Sequence, residues 1–322
     1  MNLHRSLPKC SIMELITKSS PAPERGRIAA VGMWDGVHLG HRFLIDYVRV
    51  ESKYRDLIPA VITFTCHPLS VVRPHDMPPL LNTPDERLDR LDRAGVEHCI
   101  MLDFDDKTRH MTAAEFLRAL KHEYGVDTLV VGFNNRFGRD RVDGIDQYRQ
   151  IASEIGMTVI EAPEYTGENA PISSSAIRKL LSEGKVAEAS RKLGYDYTIR
   201  GTVVNGSHVG RTIGFPTANI HPLSDTTLIP SPGVYAVRVT LPDGTQRPGM
   251  VNIGTRPTVT DGTALTIEVH ILDFSGFLYD EELSIHFVER LRGEKKFPSL
   301  KKLTSALEAD AAKVRKMLCK SH

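Results

Sequence analysis

Short apolar segments alternate with amphipathic segments along the first half of the chain. The apolar segments predict buried strands over residues 27–32, 60–64, 99–102 and 128–132. The segments between them carry apolar residues at helical spacing, such as Phe116, Leu117 and Leu120. Because strands that alternate with helices form parallel βαβ units, this half is predicted to be a doubly wound α/β domain. Ligands of such a domain bind at the carboxyl ends of its strands.

Two predicted helices are marked by their capping residues. Thr83 is followed by Pro84 and Glu86, and Thr112 is followed by Glu115. A threonine with a glutamate three residues later forms a capping box, in which each side chain satisfies a backbone N–H group of the other residue. Helices are therefore predicted to begin at these two threonines.

The pattern changes after residue 197. Apolar and polar residues alternate there with a period of two, which predicts strands over 201–206, 233–240, 249–254, 265–272 and 283–288. Short alternating strands separated by turn residues favour a small antiparallel β-barrel. A helix is expected from about Ser299, with one apolar face docked on the barrel. We place an amino-terminal domain over residues 1–185 and a carboxyl-terminal domain over residues 186–322.

Composition and charge narrow the class of protein. The chain has 322 residues, which suits two domains, and its 41% hydrophobic and 25% charged residues are typical of soluble globular proteins. The chain has 41 Lys and Arg residues against 40 Asp and Glu residues. It therefore lacks the excess of basic residues expected of a nucleic-acid-binding protein, and no nucleic-acid partner is expected. The first 26 residues are expected to form a partly ordered extension or an edge element. Whether copies of the chain form a homo-oligomer is left open.

The sequence also bears on the cellular compartment. No apolar run approaches the roughly 18 residues of a membrane-spanning helix, and charged residues interrupt the first 27 positions, where a signal peptide would need an apolar core. The four cysteines are scattered without a Cys-x-x-Cys pair, which fits a reducing environment. We therefore expect a cytoplasmic protein with no membrane partner.

The densest chemical signal spans residues 31–41 and reads Val-Gly-Met-Trp-Asp-Gly-Val-His-Leu-Gly-His. A strand ends there, a glycine-bearing loop follows, and a helix begins near Gly40. The first N–H groups of that helix and the rings of His38 and His41 can then meet one anion, as at helix N-termini that bind phosphate. An ordinary turn with exposed histidines is the alternative. A zinc site is disfavoured, because no further Cys or His pair has metal-site spacing.

Two further segments contain groups suited to phosphate and metal binding. Residues 171–178 place serines at a predicted helix start and Arg178 one turn later, where hydroxyls and a guanidinium can bind phosphates. A plain serine N-cap with a surface arginine is the alternative. Residues 201–219 carry repeated glycines, followed by Thr217 and Asn219, whose oxygens suit Mg²⁺. Glycines of ordinary β-turns are the alternative there, and the segment is not a P-loop.

Taken in order, these segments resemble the signatures of the bacterial bifunctional riboflavin kinase/FMN adenylyltransferase family. The segment 31–41 resembles the family's HxGH nucleotidylyltransferase signature, and similar matches follow over residues 63–68, 131–138 and 171–178. The Pro-Thr-Ala-Asn segment over 216–219 resembles the riboflavin kinase signature, with matches over residues 233–236, 252–257, 268–274 and 291–297. The resemblance implies a nucleotidylyltransferase domain followed by a riboflavin kinase barrel.

The resemblance implies two ATP-dependent reactions, the phosphorylation of riboflavin to FMN and the adenylylation of FMN to FAD. Mg²⁺ is the implied cofactor, and ATP, riboflavin and FMN are the implied substrates. The implied catalytic residues are Glu268, as the kinase base, with His38, His41 and Arg178. The implied ATP- and phosphate-binding residues are Gly32, Asp35, Gly36, Gly40, Ser173, Ser174, Ser175, Gly201, Gly210 and Gly214. The implied flavin-binding residues are His67, Asn134 and Arg292, and the implied metal ligands are Thr217 and Asn219.

Three positions depart from the family pattern. Trp34 replaces a phenylalanine, Cys66 replaces a proline and Asn135 replaces an aromatic residue. None of them removes a phosphate-handling residue, and Cys66 is interpreted as a small buried hydrophobe rather than a reactive thiol. A solvated arginine is the alternative for Arg292. Two other functions stay open at this point: a riboflavin kinase with an impaired amino-terminal domain, and a non-catalytic flavin-binding sensor.

Overall fold

The computed structural model describes residues 13–132, 137–140, 144–167, 170–205, 213–257 and 263–318. These residues form two compact units. The amino unit contains the described residues up to Pro78 and those between Asn82 and Pro171. The carboxyl unit contains Pro79–Leu81 and the described residues from Ile172 onward. The domain boundary placed after residue 185 stays a prediction.

The amino unit is built on a parallel sheet with the strand order β1-β4-β3-β2-β5-β6. The strands are β1 (Glu14–Ile16), β2 (Arg27–Val31), β3 (Ile58–Phe64), β4 (His98–Leu102), β5 (Val126–Val131) and β6 (Thr158–Glu161). The helices are α1 (Leu39–Arg55), α2 (Pro68–Val72), α3 (Pro84–Arg93), α4 (Asp106–Arg109), α5 (Ala113–Tyr124) and α6 (Ile145–Glu154). The predicted α/β fold is confirmed, and β1 is an edge strand.

The central strand β2 is buried on both faces. Ala29 and Val31 belong to one apolar cluster, whereas Ile28 and Ala30 belong to a second cluster. Successive side chains of a strand point to opposite faces of the sheet, so the two clusters lie on its two sides. This double burial explains why the strand is continuously apolar rather than alternating.

Both predicted capping boxes are confirmed. Thr83 Oγ1 accepts a hydrogen bond from Glu86 N at 3.3 Å, and Glu86 Oε2 accepts one from Thr83 N at 2.8 Å. Thr112 and Glu115 make the same reciprocal pair at the start of α5. These bonds satisfy N–H groups that have no partner inside the helix, and so fix where each helix begins.

In the carboxyl unit, α7 (Ser174–Ser182) and α8 (Val186–Leu193) precede an antiparallel barrel. In the part of the chain that is described, the barrel closes in the order β10-β11-β8-β7-β12-β9. Its strands are β7 (Tyr197–Val204), β8 (Ala218–Pro222), β9 (Gly233–Thr240), β10 (Gln246–Pro257), β11 (Thr263–Ile271) and β12 (Glu282–Arg292). The predicted antiparallel barrel is confirmed.

The last helix, α9 (Leu300–Leu318), docks on the outside of the barrel. Its Ala311 and Val314 are buried in one cluster with Val234 and Met250 from β9 and β10. The predicted helix and its apolar face are therefore confirmed. Across the described ranges, none of the helices combines the length and apolar character that crossing a bilayer requires.

A short segment from the first half of the chain belongs to the carboxyl unit. Leu80 N donates to Thr226 O at 2.7 Å, and Leu228 N donates to Leu80 O at 2.9 Å. Leu81 is 1% exposed and packs in the core of this unit with Ile177 and Leu181. The sequence analysis did not predict this pairing, because it joins residues that are distant along the chain.

The barrel core provides a test of the fold. Phe287 is fully buried, with its ring centroid 5.4 Å from that of Tyr235. We expect F287A to lower the free energy of unfolding by about 3–5 kcal/mol, because it removes an aromatic ring and leaves a cavity. Phe277, which is 91% exposed, supplies the control F277A, with an expected change within about 0.5 kcal/mol. Urea denaturation followed by circular dichroism measures both, and equal midpoints would contradict the assigned barrel core.

Candidate active sites

The turn after β2 has an unusual backbone. Trp34, Gly36 and Val37 have positive φ values of 54°, 86° and 33°. Such angles favour glycine, so they cost free energy at Trp34 and Val37. Burial offsets this cost, since Trp34 is 1% exposed and Val37 is fully buried, and Trp34 Nε1 donates to Ile62 O at 2.8 Å.

The turn delivers two histidines to the start of α1. His38 is the N-cap residue, and its Nδ1 accepts a hydrogen bond from His41 N at 3.2 Å. The two rings stack with their centroids 3.6 Å apart and an interplanar angle of 12°. The Trp34 and His41 rings also pack against each other in an edge-type arrangement, with their centroids 5.2 Å apart and an interplanar angle of 63°. Sequence spacing therefore correctly predicts that His38 and His41 lie together at a helix N-terminus.

His41 is held in its neutral form. Burial lowers the pKa of its ring well below 6.5, and the neighbouring His38 lowers it further. Its Nδ1 is enclosed and makes no hydrogen bond with any described residue. A neutral imidazole can donate one hydrogen bond to an anion, and the positive end of the α1 dipole favours negative charge at the same place.

The other residues predicted in this turn have different surroundings. Asp35 is 4% exposed, and its Oδ1 accepts a hydrogen bond from Asn82 N at 3.2 Å. Gly32 lies against the Trp34 ring, where an added Cβ would come within 3.3 Å of it. Gly40 is the second residue of α1. The Asp35 carboxylate thus stabilises the turn from within, and its contact with phosphate stays a prediction.

His67 lies at the carboxyl end of the neighbouring strand β3. It is the N-cap residue of α2, and its Nδ1 accepts a hydrogen bond from Leu69 N at 3.1 Å. Cys66 is half-buried, with its Sγ 3.7 Å from Phe104 O. Asn134 and Asn135, which follow β5 in the sequence, lie outside the described residues.

The serine cluster begins α7 in the carboxyl unit. Ser173 is its N-cap residue, with its Oγ accepting a hydrogen bond from Ala176 N at 3.2 Å, and Ser174 and Ser175 form its first turn. Arg178 lies one turn further on, where its Nε donates to Pro79 O at 2.8 Å. The predicted helix start is confirmed, whereas phosphate binding by these four residues stays a prediction.

In the barrel, strand register places Glu268 between two amides. Glu268 on β11 is directly opposite Asn219 on β8 and opposite Asn252 on β10. Directly opposed residues project from the same face of a sheet, so a carboxylate lies between two carboxamides. Oxygen and N–H groups of this kind can orient an alcohol and bind a hard cation.

Two cavities meet at Thr217. A cleft of about 530 Å³ is lined by Thr217, Asn252, Glu268 and Arg292 and by the apolar side chains of Phe215, Val234, Met250, Phe297, Leu303 and Leu307. A smaller recess of about 200 Å³ is lined by Thr217 together with Val203, Pro216, Phe274, Phe277 and Tyr279. Thr217 therefore lines both the cleft and the recess.

Arg292 holds the wall of the cleft. Its Nε donates to Asp310 Oδ2 at 2.8 Å, and Asp310 on α9 is 2% exposed. The guanidinium carbon lies 5.4 Å from the centroid of the Phe297 ring. A buried ion partner and an aromatic face favour an ordered arginine over the solvated alternative.

The predicted phosphate-binding glycines of the barrel that the structure describes, Gly201 and Gly214, have different surroundings. Gly201 lies within β7, and an added Cβ would come within 2.5 Å of His221 O, so the close approach of β8 requires glycine here. Gly214 has a φ of 81° with open space around it, beside the cleft residue Phe215. Gly210 lies outside the described residues. Phosphate binding by these glycines stays a prediction.

Comparison with known proteins agrees with the division of the chain into an amino and a carboxyl unit. A family model for FAD synthetase matches residues 20–176, and a model for riboflavin kinase matches residues 193–318. The bifunctional riboflavin kinase/FMN adenylyltransferase of Escherichia coli K12 is 35% identical over 298 residues, covering 92% of this chain and 94% of its own. The chain belongs to the bifunctional riboflavin kinase/FMN adenylyltransferase family.

Other members of the family are similar over nearly the same length. The enzyme from Pseudomonas fluorescens is 35% identical over 92% of this chain and 94% of its own, and that from Bacillus subtilis is 32% identical over 88% and 90%. A crystal structure of a protein named macrolide-efflux protein, from Streptococcus pneumoniae, superposes with a TM-score of 0.83 at 31% identity, covering 94% of this chain and 99% of that one. The two-unit fold is thus shared with a solved structure.

Sequence reasoning missed three residues of these sites. Asn252 and His270 line the cleft, and His270 follows Glu268 by two positions on β11. The period of two on a strand would have placed His270 on the same face as Glu268, whereas Asn252 required knowledge of the strand pairing. The third residue, Arg87 on α3, donates to Met33 O at 3.3 Å in the turn before His38, and its position in an ordinary amphipathic helix gave no sequence signal for that contact.

The depressed pKa of His41 predicts a pH dependence of stability. The unfolded chain binds a proton near pH 6.5 that the folded ring does not bind, so stability is present above that pH and is lost as the pH falls below it. We expect the amino unit to lose about 1 kcal/mol through His41 between pH 7.5 and 5.5. Urea denaturation followed by the fluorescence of Trp34, the single tryptophan, measures this loss.

The variants H41N and H122N form the comparison, because His122 on α5 is exposed. The pH dependence should shrink in H41N but persist in part, since burial also lowers the pKa of His98 in the same unit. Equal pH dependence in H41N and H122N would contradict the neutral, enclosed state assigned to His41.

Proposed function

We propose that this chain converts riboflavin to FAD in two ATP-dependent steps, one in each unit. The observation that carries the proposal is the presence of two distinct sites in one member of this family. One is a carboxylate between two amides in an apolar cleft, and the other is a stacked histidine pair at a helix N-terminus. The first suits phosphorylation of an alcohol, and the second suits stabilisation of charge on a phosphoryl group.

In the carboxyl unit, riboflavin would occupy the cleft and ATP the recess. The apolar side chains of the cleft suit the flat flavin ring, with the ring bounded by Phe297 and α9. The recess is lined by aromatic residues such as Phe274 and Tyr279, which suit a purine. Because Thr217 lines both cavities, the phosphates of ATP would lie next to Thr217, between the two substrates.

The residues present fit a magnesium ion bound together with ATP. Thr217 and Asn219 supply hydroxyl and amide oxygens, and these are hard ligands of the kind that Mg²⁺ prefers. Among the described residues no cluster of three or more His, Cys, Asp or Glu could hold a metal ion, so the phosphates would complete the ligand set. When bound, Mg²⁺ would neutralise charge that develops on the transferred phosphoryl group.

Glu268 is the proposed base of the kinase reaction. It lies in the cleft wall, where its carboxylate would accept the proton of the riboflavin 5′-hydroxyl as that oxygen attacks the γ-phosphorus of ATP. The flanking Asn219 and Asn252 have N–H groups that would orient the carboxylate and the attacking hydroxyl. Arg292, fixed by Asp310, would hold the flavin side of the cleft rather than take part in proton transfer.

In the amino unit, a phosphate oxygen of FMN would attack the α-phosphorus of ATP. The bond from the α-phosphorus to the bridging oxygen then breaks, and pyrophosphate leaves. The FMN phosphate is already a nucleophile near neutral pH, so alignment and charge stabilisation would carry the rate. His38, His41 and the N-terminus of α1 would bind the reacting phosphates.

The two steps suit a cytoplasmic enzyme, where ATP is abundant, and this location is part of the proposal. ATP, riboflavin and FMN are the proposed partners.

The test separates the two sites within one chain. E268Q should lower the rate of FMN formation from riboflavin by about 10²–10⁴-fold, because it removes the base. The same variant should convert added FMN to FAD at the original rate. H41N should do the reverse, with FAD formation lowered by roughly 10²-fold through loss of a preorganised charge stabiliser. Chromatography of FMN and FAD over time, with riboflavin or FMN as the starting flavin, measures both.

The controls are E281Q and H122N, which change exposed residues outside both sites. Both controls should keep both activities. Loss of the two activities together in E268Q or in H41N would overturn the two-site assignment. FMN formation without FAD formation in the unmodified chain would leave a riboflavin kinase, and flavin binding without either product would indicate a sensor.

A further inference from the structure

A buried arginine contacts the turn that follows β2 in the amino unit. Arg87 on α3 is 5% exposed, although arginine is a residue that usually keeps its charge in water. Its Nε lies buried without a hydrogen-bond partner among the described residues. Burying a guanidinium with one unsatisfied N–H costs free energy, so the remaining bonds of this side chain must offset a substantial penalty.

Those remaining bonds connect the carboxyl ends of the strands β2 and β3. One terminal nitrogen of Arg87 donates to Phe64 O at 2.7 Å, and the other donates to Met33 O at 3.3 Å. Phe64 is the last residue of β3, three positions before His67, and Met33 directly precedes Trp34 in the turn after β2. One planar guanidinium therefore fixes the two backbone segments relative to each other.

No backbone ladder can make this connection. The paired residues of β2 and β3 end at Val31 and Ile62, followed by one hydrogen bond from Gly32 N to Ile62 O at 3.0 Å. The β2–β3 register gives no pair beyond that point, so the carbonyls of Met33 and Phe64 take donors from outside this ladder. The guanidinium of Arg87 supplies both donors, so it extends the connection between the strands into the candidate active site.

An acidic group in the same turn balances the charge. Burial lowers the pKa of the Arg87 guanidinium, and the negative charge of Asp35, itself 4% exposed, opposes that shift. Asp35 accepts its hydrogen bond from the backbone of Asn82, immediately before the N-cap residue Thr83 of α3. Residues at the start of α3 therefore bind the turn at two places: Asn82 N donates to Asp35, and Arg87 donates to Met33 O.

We propose that Arg87 is a positioning residue for the adenylylation of FMN. By binding Met33 O and Phe64 O, it fixes the turn that leads to His38 and His41 relative to the segment after β3 that leads to His67. This inference rests on the proposed function of the amino unit. Arg87 contacts backbone carbonyls and no reacting atom, so it acts through the histidines. Misplacement of reacting groups by about 1 Å can cost roughly 10²-fold in rate, which sets the size of the expected effect.

The experiment compares R87M, R87K and the matched control R93M, in which an exposed arginine of the same helix is replaced. In R87M, kcat for conversion of FMN to FAD should fall by roughly 10²-fold, with KM for ATP and for FMN changed less than about threefold. R87K should recover about tenfold of this loss, because an ammonium keeps the charge opposite Asp35 and reaches one of the two carbonyls. R93M should match the unmodified chain.

The kinase reaction of the same chain serves as an internal control. All three variants should form FMN from riboflavin at rates within about twofold of the unmodified chain, because Arg87 lies in the amino unit. A purely structural role predicts a lower urea midpoint, read from Trp34 fluorescence, with kcat unchanged below that midpoint. Equal kcat values for folded R87M and R93M would overturn the inference, as would equal losses in R87M and R87K.

Two further outcomes are distinguished by design. If R87M no longer unfolds cooperatively, R87K decides, and a kcat for R87K equal to that of R93M overturns the inference. If the unmodified chain forms no FAD from FMN, the proposed function of the amino unit fails, independently of Arg87.

Discussion

The carbonyl oxygen of Ile62 holds the turn on which the amino-unit site depends. It accepts one hydrogen bond from Gly32 N at 3.0 Å and a second from Trp34 Nε1 at 2.8 Å. With the indole fixed in this way, the turn can bear positive φ values at Trp34 and Val37, because burial and hydrogen bonding offset the backbone strain. His38 then reaches the N-cap position of α1, and His41 stacks on it. Trp34 thus makes a hydrogen bond that a phenylalanine at this position could not make.

The carboxyl unit depends on a different constraint, the register of a closed barrel. Closure pairs β11 with both β8 and β10, so each position of β11 has a defined neighbour on either side. A shift of one residue would move Glu268 from the cleft face to the apolar interior, where Ile267 and Val269 lie. Burial of these two residues thus holds the carboxylate in the cleft wall, and α9 with the Arg292–Asp310 pair forms the rest of that wall.

Both candidate sites contain buried polar side chains, whose loss of hydration must be offset by hydrogen bonds within the fold. In the amino unit, Asp35, His38 and Arg87 are each at least nine-tenths buried, and their hydrogen bonds go largely to backbone groups of the turn and of neighbouring segments. In the carboxyl unit, Asp310 is buried against Arg292. Buried polar groups that are paired in this way restrict the backbone to one arrangement, and removal of one partner leaves the other unsatisfied. The same pairing would preorganise the proposed phosphate-binding groups of the amino unit.

The sequence by itself determined the family, the α/β and barrel halves, the two capping boxes and the placement of His38 and His41 at a helix start. The family follows from the order of several motifs along the whole chain. The other features rest on residues within about four positions of one another, or on the periodicity of apolar residues along one element, so local patterns are enough to predict them. Only the tertiary structure decided that Asp35 faces Asn82, that Arg87 joins Met33 to Phe64, that Asn252 lies opposite Glu268, and that Pro79–Leu81 belongs to the carboxyl unit. Each of these contacts joins residues far apart along the chain, for example 47 positions for Asp35 and Asn82 and 54 for Arg87 and Met33. The physical reason is that buried donors and acceptors take whichever partner packing brings within reach, and no local pattern specifies that partner.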